Sequence, residues 1–144
     1  MRKLAAFFLI LLIATSALAQ DRPAKFVEED VRWALIAEQI RVSLESTHES
    51  IKTQTLKNVI VFATLYRDKI DLADQVRLLC NTYEKLDSAK HRRLTLAALQ
   101  AIGSHRAYDF VLRNATKAEF EEGRLVVASV LNDYYLSRND TTPG

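Results

Sequence analysis

The sequence predicts an all-α protein, and two observations support this. Between Ala24 and Thr142 there is no proline, and the only glycines in that span are Gly103 and Gly123. Apolar residues recur there at intervals of three and four, the spacing that places them on one face of a helix. Because glycine and proline are the least favourable residues inside helices, their scarcity favours helices throughout and disfavours a sheet.

The N-terminal residues 1–19 are typical of a removable export signal. Arg2 and Lys3 give a positive start, Leu4–Ala14 is apolar, and Ala17–Ala19 has the small-x-small pattern of a cleavage site. A membrane anchor needs about 20 apolar residues, so this run is too short for one. We therefore expect a periplasmic or secreted protein with no stable membrane insertion after cleavage.

The charge balance gives no indication of nucleic-acid binding. The chain has 20 basic and 18 acidic residues, a net charge of +2. Removing residues 1–19 takes away Arg2 and Lys3 and no acid, which leaves 18 of each sign. A neutral exported chain lacks the basic excess that nucleic-acid binding requires.

Cys80 is the only cysteine, so an internal disulfide is excluded. It continues a helical apolar series with Val76 and Tyr83, which predicts a small buried hydrophobe. A reactive or intermolecular thiol is the alternative interpretation.

The length suits one domain after the signal. We predict a signal peptide over 1–19, a short linker over 20–28, a helical domain over 29–138 and a disordered tail over 139–144. Cap residues divide the domain into six helices, because each satisfies backbone groups that a helix end leaves unpaired. The predicted spans are 29–46, a helix opened by a Ser46/Glu49 capping box, a helix from an Asp71 cap to Leu86, Ala89–Ile102 after an Asp87-Ser88 cap and ending at Gly103, a Ser104-capped helix to Leu112, and a helix from a Thr116/Glu119 capping box to Arg138.

A basic residue followed by apolar positions four, seven and ten residues later occurs three times, at the second helix of each predicted pair. Such hairpins expose more apolar surface than one partner helix can cover, so they must stack on a neighbouring hairpin. We also expect acids near each basic residue to pair with it. The three series are Lys52, Leu56, Val59, Phe62; Arg92, Leu96, Leu99, Ile102; and Arg124, Ala128, Leu131, Tyr134, with Glu49, Asp87 or Glu84, and Glu119, Glu121 or Glu122 as the acids.

Residues 91–112, HRRLTLAALQAIGSHRAYDFVL, resemble the second helix of a HEAT repeat running into the first helix of the next. The resemblance is specific over 87–112 and covers 29–137 only in outline; His91 stands where the repeat usually has an apolar residue. It implies a short right-handed α-solenoid of about three helical hairpins. The matching residues are Arg92, Leu96, Leu99, Ile102, Gly103, Ala107 and Val111.

The sequence offers no catalytic or cofactor motif. The three histidines lack metal-ligand spacing and fall at predicted turns or helix starts, so we interpret them as surface residues. There is no glycine-rich phosphate loop and no G-x-S-x-G turn. We therefore expect no cofactor, no metal and no enzymatic activity; a divergent enzyme around His91 and His105 is the least favoured alternative.

The predicted function is a non-catalytic scaffold or adaptor that binds another protein. Its partner-binding surface is expected along the outward row of the second helices. A closed helical bundle with a periplasmic chaperone-like or envelope-associated role is the alternative, and contacts between the first and last helices would favour it. The uncovered face of the aromatic C-terminal hairpin is predicted to act as a cap or as a partner surface. The residues predicted to form the outward row are Lys57, Arg93, Gln100, Ser129 and Asn132.

Overall fold

The computed structural model describes residues 25–139, which form six α-helices and no strand, so the all-α prediction is confirmed. No helix in this span is both long and apolar enough to cross a membrane. The predicted signal peptide and all but the first residue of the predicted tail lie outside the described residues. The helices are α1 Lys25–Leu44, α2 Glu49–Leu65, α3 Ala73–Tyr83, α4 Ala89–Ile102, α5 His105–Asn114 and α6 Lys117–Asn139.

The last three helices begin where their predicted caps lie. The Ser88 hydroxyl accepts the backbone N–H of His91 at 3.3 Å at the start of α4. Ser104 does the same for Ala107 at 3.3 Å at the start of α5. At α6 the Thr116/Glu119 capping box is complete: Glu119 N–H donates to Thr116 Oγ1 at 3.2 Å, and Thr116 N–H donates to Glu119 Oε2 at 2.7 Å.

Two boundaries in the first half differ from prediction. Helix α1 begins at Lys25, so residues 25–28 are helical and not linker. The Ser46/Glu49 capping box does not form, because the Ser46 hydroxyl accepts from His48 N–H at 3.2 Å, one residue short of the helix. His48 itself occupies the N-cap position without a side-chain bond.

Helix α3 is shorter than predicted, and its predicted cap is displaced by one residue. Asp71 Oδ1 accepts the backbone N–H of Ala73 at 2.9 Å, but the N-cap position is held by Leu72, which makes no side-chain cap bond. The helix ends at Tyr83, because the next residues turn more tightly: Lys85 N–H donates to Thr82 O at 3.0 Å and Leu86 N–H to Tyr83 O at 3.2 Å. These bonds span three residues instead of the four of an α-helix.

The helices alternate between two sets of neighbours. In the first set, α3 contacts both α1 and α5. The second set consists of α2, α4 and α6, and it contains the most extensive contacts. The principal neighbours of α1 are α2 and α3, whereas α6 packs on α4 and α2. Helix α4 is therefore central, with contacts to α2, α3, α5 and α6.

The middle of α4 has no exposed side. Every residue from Leu94 to Leu99 is buried, including Ala97 and Ala98 at 0% exposure. The two alanines let neighbouring backbones approach closely, and Thr95 satisfies its buried hydroxyl by donating to His91 O at 2.7 Å. The core of the protein is built around this helix.

An aromatic cluster connects α1, α2 and α6. The Trp33 ring lies 5.2 Å from the Tyr66 ring, centroid to centroid. The Tyr66 hydroxyl in turn lies 3.4 Å from that of Tyr134. The second-set helices α2 and α6 thus meet one another beside α4, through the residue that ends α2.

Gly103 ends α4 in the left-handed conformation predicted for it, with φ 63°, and its N–H donates to Leu99 O at 3.1 Å. A side chain at this position would meet only ordinary contacts of 3.6 Å or more. The requirement for glycine is therefore conformational and not steric crowding.

Replacing Gly103 with Ala is expected to lower the free energy of unfolding by about 1–2 kcal/mol, the cost of the left-handed conformation for a residue with a Cβ. Gly103→Asn should cost less, because asparagine tolerates this conformation. Urea unfolding followed by circular dichroism measures both variants. Equal stability of the alanine variant and the parent would contradict the assignment.

Candidate functional site

The five residues of the predicted outward row do not form one surface. On α4, Arg93 is exposed, but its Nε lies 3.0 Å from Glu122 Oε1 of α6. Gln100 is half-buried and directed to α6, so the prediction that it faces away from the core is wrong. The row is interrupted at α4 because α2 and α6 both pack against that helix.

Gln100 fits into the α4–α6 interface because Gly123 of α6 leaves room for its side-chain amide. Its Nε2 donates to Phe120 O at 3.0 Å, while its Oε1 is buried without a hydrogen-bond partner. A Cβ on Gly123 would overlap this amide, so only glycine leaves room for it. The sequence contained one signal of this packing, which is Gly123 itself. Glycine is unfavourable inside a helix, so its presence there indicates a close approach by a neighbouring group.

Ser129 and Asn132 lie on an exposed face of α6, as predicted. Leu125 and Leu136 flank them on the same face with 71% and 55% of their surface exposed. The spacing of four, three and four residues aligns all four side chains along one side of the helix. Tyr135, 52% exposed, borders the face. We call this set, Leu125, Ser129, Asn132, Tyr135 and Leu136, the α6 face.

Lys57 lies apart from the α6 face. It is half-buried and lines a groove of about 240 Å³ between α2 and α6. Asn58, Asp133 and Ser137 line the same groove. Of the predicted residues, the structure thus brings together only Ser129 and Asn132; sequence reasoning missed the exposed leucines beside them, since leucine at helical spacing usually indicates a core position.

The predicted ion pairs at the second-helix starts form only in part. Arg124 pairs with Glu121 at 3.7 Å. Arg92 instead donates to the Leu86 backbone carbonyl at 2.8 Å, so its predicted pairing with an acid is wrong. Among the described side chains, Lys52 has no carboxylate within 4.0 Å, which contradicts its predicted pairing with Glu49.

His91 is not a surface residue, contrary to the sequence interpretation. It is 6% exposed, and its Nε2 lies 2.9 Å from Thr53 Oγ1 of α2. The ring therefore fills the position where a HEAT-like pattern has an apolar residue, and the Thr53 hydroxyl satisfies its polar nitrogen. This bond joins residues 38 positions apart in the chain, so no local pattern reveals it.

The other two histidines, His48 and His105, are exposed. His105 Nδ1 lies 3.1 Å from Asp109 Oδ2 on the surface of α5. His91 lies in the first turn of α4, whereas His105 begins α5, beyond the other end of α4. Within the described residues, no group of three His, Cys, Asp or Glu side chains is arranged to hold a metal ion.

Cys80 is half-buried against the core. Burial raises the pKa of its thiol, and the charge of Arg106 opposes this only in part. A raised pKa lowers the fraction of thiolate, the reactive form. The position thus fits a packing residue better than a reactive one.

Comparison with models of protein families, with curated proteins and with solved structures gives no match for this chain. The HEAT resemblance therefore stays a prediction based on residues 87–112.

Replacing Gly123 with Ala tests the close approach of Gln100. Alanine favours the helix by about 1 kcal/mol over glycine, but here its Cβ must displace the Gln100 amide and its bond to Phe120. We expect Gly123→Ala to raise the free energy of unfolding in a Gln100→Ala background and to give no such increase in the parent. Urea unfolding of the four proteins should give a coupling free energy of about 0.5–3 kcal/mol; additive effects would contradict the packing.

Replacing Thr53 with Val removes the partner of the buried His91 ring. We expect unfolding free energy to fall by about 1–3 kcal/mol, the cost of an unsatisfied buried polar group. The double variant Thr53→Val/His91→Leu should recover most of this, because both polar partners are then replaced. Thermal and urea unfolding measure the effect, and a double variant less stable than Thr53→Val would show that the ring is held by other contacts.

Proposed function

We propose that this protein is a non-catalytic, exported scaffold built as a HEAT-like stack of three hairpins, and that it binds another protein. The alternation of α1, α3, α5 with α2, α4, α6 supports the stacked arrangement, because successive members of each set are neighbours. The α6 face carries the proposal. It is exposed, includes two large apolar side chains and lies on α6, where none of the other described helices covers it.

The composition of the α6 face suits a protein partner. Leu125, Tyr135 and Leu136 supply apolar and aromatic contact area, and Ser129 and Asn132 lie between them as hydrogen-bonding groups. Apolar anchors surrounding a few polar groups are the usual composition of a protein–protein interface core. The occupant that fits best is an amphipathic helix with its apolar side towards α6.

The closed bundle is the second candidate, and the contact between α2 and α6 favours it. Tyr66 and Tyr134 join those helices as a bundle would. The stack is preferred because α1 packs mainly on α2 and α3, and α6 mainly on α4. Distances between spin labels at Arg32 and Asn132 in solution distinguish a separated from a closed pair of terminal helices.

Placing a photo-cross-linking residue at Asn132 should capture one protein in the native compartment. With that protein purified, Leu125→Glu/Leu136→Glu should weaken its binding at least about tenfold in calorimetry, because two apolar anchors become charged. The control Thr47→Glu/Asn81→Glu adds the same charge at exposed sites on other elements and should bind like the parent.

Equal affinity of the α6 variant and the parent would contradict the assignment of this face. Capture of a second copy alone, with a matching dimer in sedimentation, would replace the adaptor role with self-association.

A further inference from the structure

An open groove of about 480 Å³ runs between α1 and the start of α3. Its volume is in the range of small ligand-binding clefts. The α1 wall extends from Asp30 to Arg41, about 17 Å along the helix. The opposite wall is the turn before α3 and the first turn of α3.

The lining of this groove carries an acidic excess. Four acids and two bases line it, which leaves two negative charges more than positive ones. Both bases already have carboxylate partners: Arg41 lies 2.7 Å from Glu38, and Lys69 lies 2.8 Å from Glu29, whose pKa it lowers by hydrogen bonding and charge. The charged lining residues are Asp30, Glu38, Asp71, Asp74, Arg41 and Lys69.

Two of these acids form no direct ion pair, although the charge of Asp30 acts on Lys69. Asp30 and Asp71 lie more than 4.0 Å from every basic group among the described side chains. Asp71 uses one oxygen at the start of α3, where it accepts from Ala73 N–H. The partial positive charge of the helix end offsets part of its charge there.

A buried acceptor in the same groove points independently to a ligand. Gln75 lines the groove, is 3% exposed, and donates through Nε2 to Ala37 O of α1 at 2.6 Å. Its Oε1 has no hydrogen-bond partner. Since the donor side of the amide is fixed on α1, the acceptor lies between the two walls, covered from solvent and without the hydrogen bond that a donor inserted there would supply.

Trp33 supplies an aromatic wall. It packs against Phe62 and Tyr66 on one side and lines the groove on the other. An indole ring attracts ammonium and guanidinium groups through the negative face of its ring. Acidic groups, a buried acceptor and an aromatic ring together select a cation that carries several N–H donors.

We propose that this groove binds the guanidinium or ammonium group of a basic side chain, contributed by an exposed basic segment of a partner protein. That the partner is a protein rests on the proposed function. That the bound group is a cation rests on the residues of the groove alone. The site is distinct from the α6 face and gives the protein a second contact on the opposite set of helices.

Trp33 is the only tryptophan, so its fluorescence reports on the groove directly. The probe is the capped peptide Gly-Arg-Gly-Gly-Arg-Gly, titrated into the purified protein at low salt with calorimetry in parallel. The matched control peptide has citrulline, which keeps the shape and removes the charge. We expect the arginine peptide to bind with a change in Trp33 emission, binding to weaken as salt rises, and the citrulline peptide to bind at least about tenfold more weakly.

Asp30→Asn/Asp71→Asn should weaken peptide binding at least about tenfold without unfolding the protein, because asparagine can still accept at the start of α3. The control Glu121→Gln/Asp133→Asn removes the same charge on α6 and should bind like the parent. Gln75→Met should also weaken binding; if this variant fails to fold, the aspartate pair still decides the question.

Equal binding of the citrulline peptide, or of the Asp30/Asp71 variant and the parent, would overturn the proposal. Spermidine bound more tightly than the peptide would overturn the assignment of a protein segment as the ligand. Leu125→Glu/Leu136→Glu should leave the titration unchanged, so failure of this site and failure of the α6 face are distinguishable.

Discussion

The burial of the middle of α4 on all sides is the constraint on which the remaining structure depends. A helix with six consecutive buried residues, Leu94 to Leu99, must be enclosed by neighbours in every direction. Helices α2, α3, α5 and α6 provide that enclosure, and their positions follow from it. The same requirement explains why Gln100, which directly follows this buried stretch, lies in the interface with α6.

Local signals in the sequence were sufficient wherever the structure is determined by neighbouring residues. Ser88, Gly103, Ser104 and the Thr116 capping box each act within four residues, and each marks the boundary it was expected to mark. The Ser46 capping box failed although its spacing was correct, because the chain there makes a short turn before the helix begins. A spacing alone does not specify which of several local hydrogen bonds forms.

The functional residues were harder to place, because their environment is made by distant parts of the chain. His91 is buried against Thr53, and Gln100 is half-buried where Gly123 leaves room for it. Both partners are far away in the sequence, so helical periodicity does not reveal these contacts. The exposed leucines on α6 could not be predicted either, because helical spacing does not distinguish a covered face from an uncovered one. The acidic groove similarly combines residues from α1 with residues some 40 positions later, in a chain whose total charge is nearly balanced.

The hydroxyl contact between Tyr66 and Tyr134 limits how further helices could be added to this fold. Helices α2, α4 and α6 already turn so sharply that the first and third of them touch. A fourth helix following the same curvature would enter the space that α2 occupies. In the proposed stack of helical pairs these three helices already contact one another, so a chain that continued past α6 would have to change direction to avoid α2.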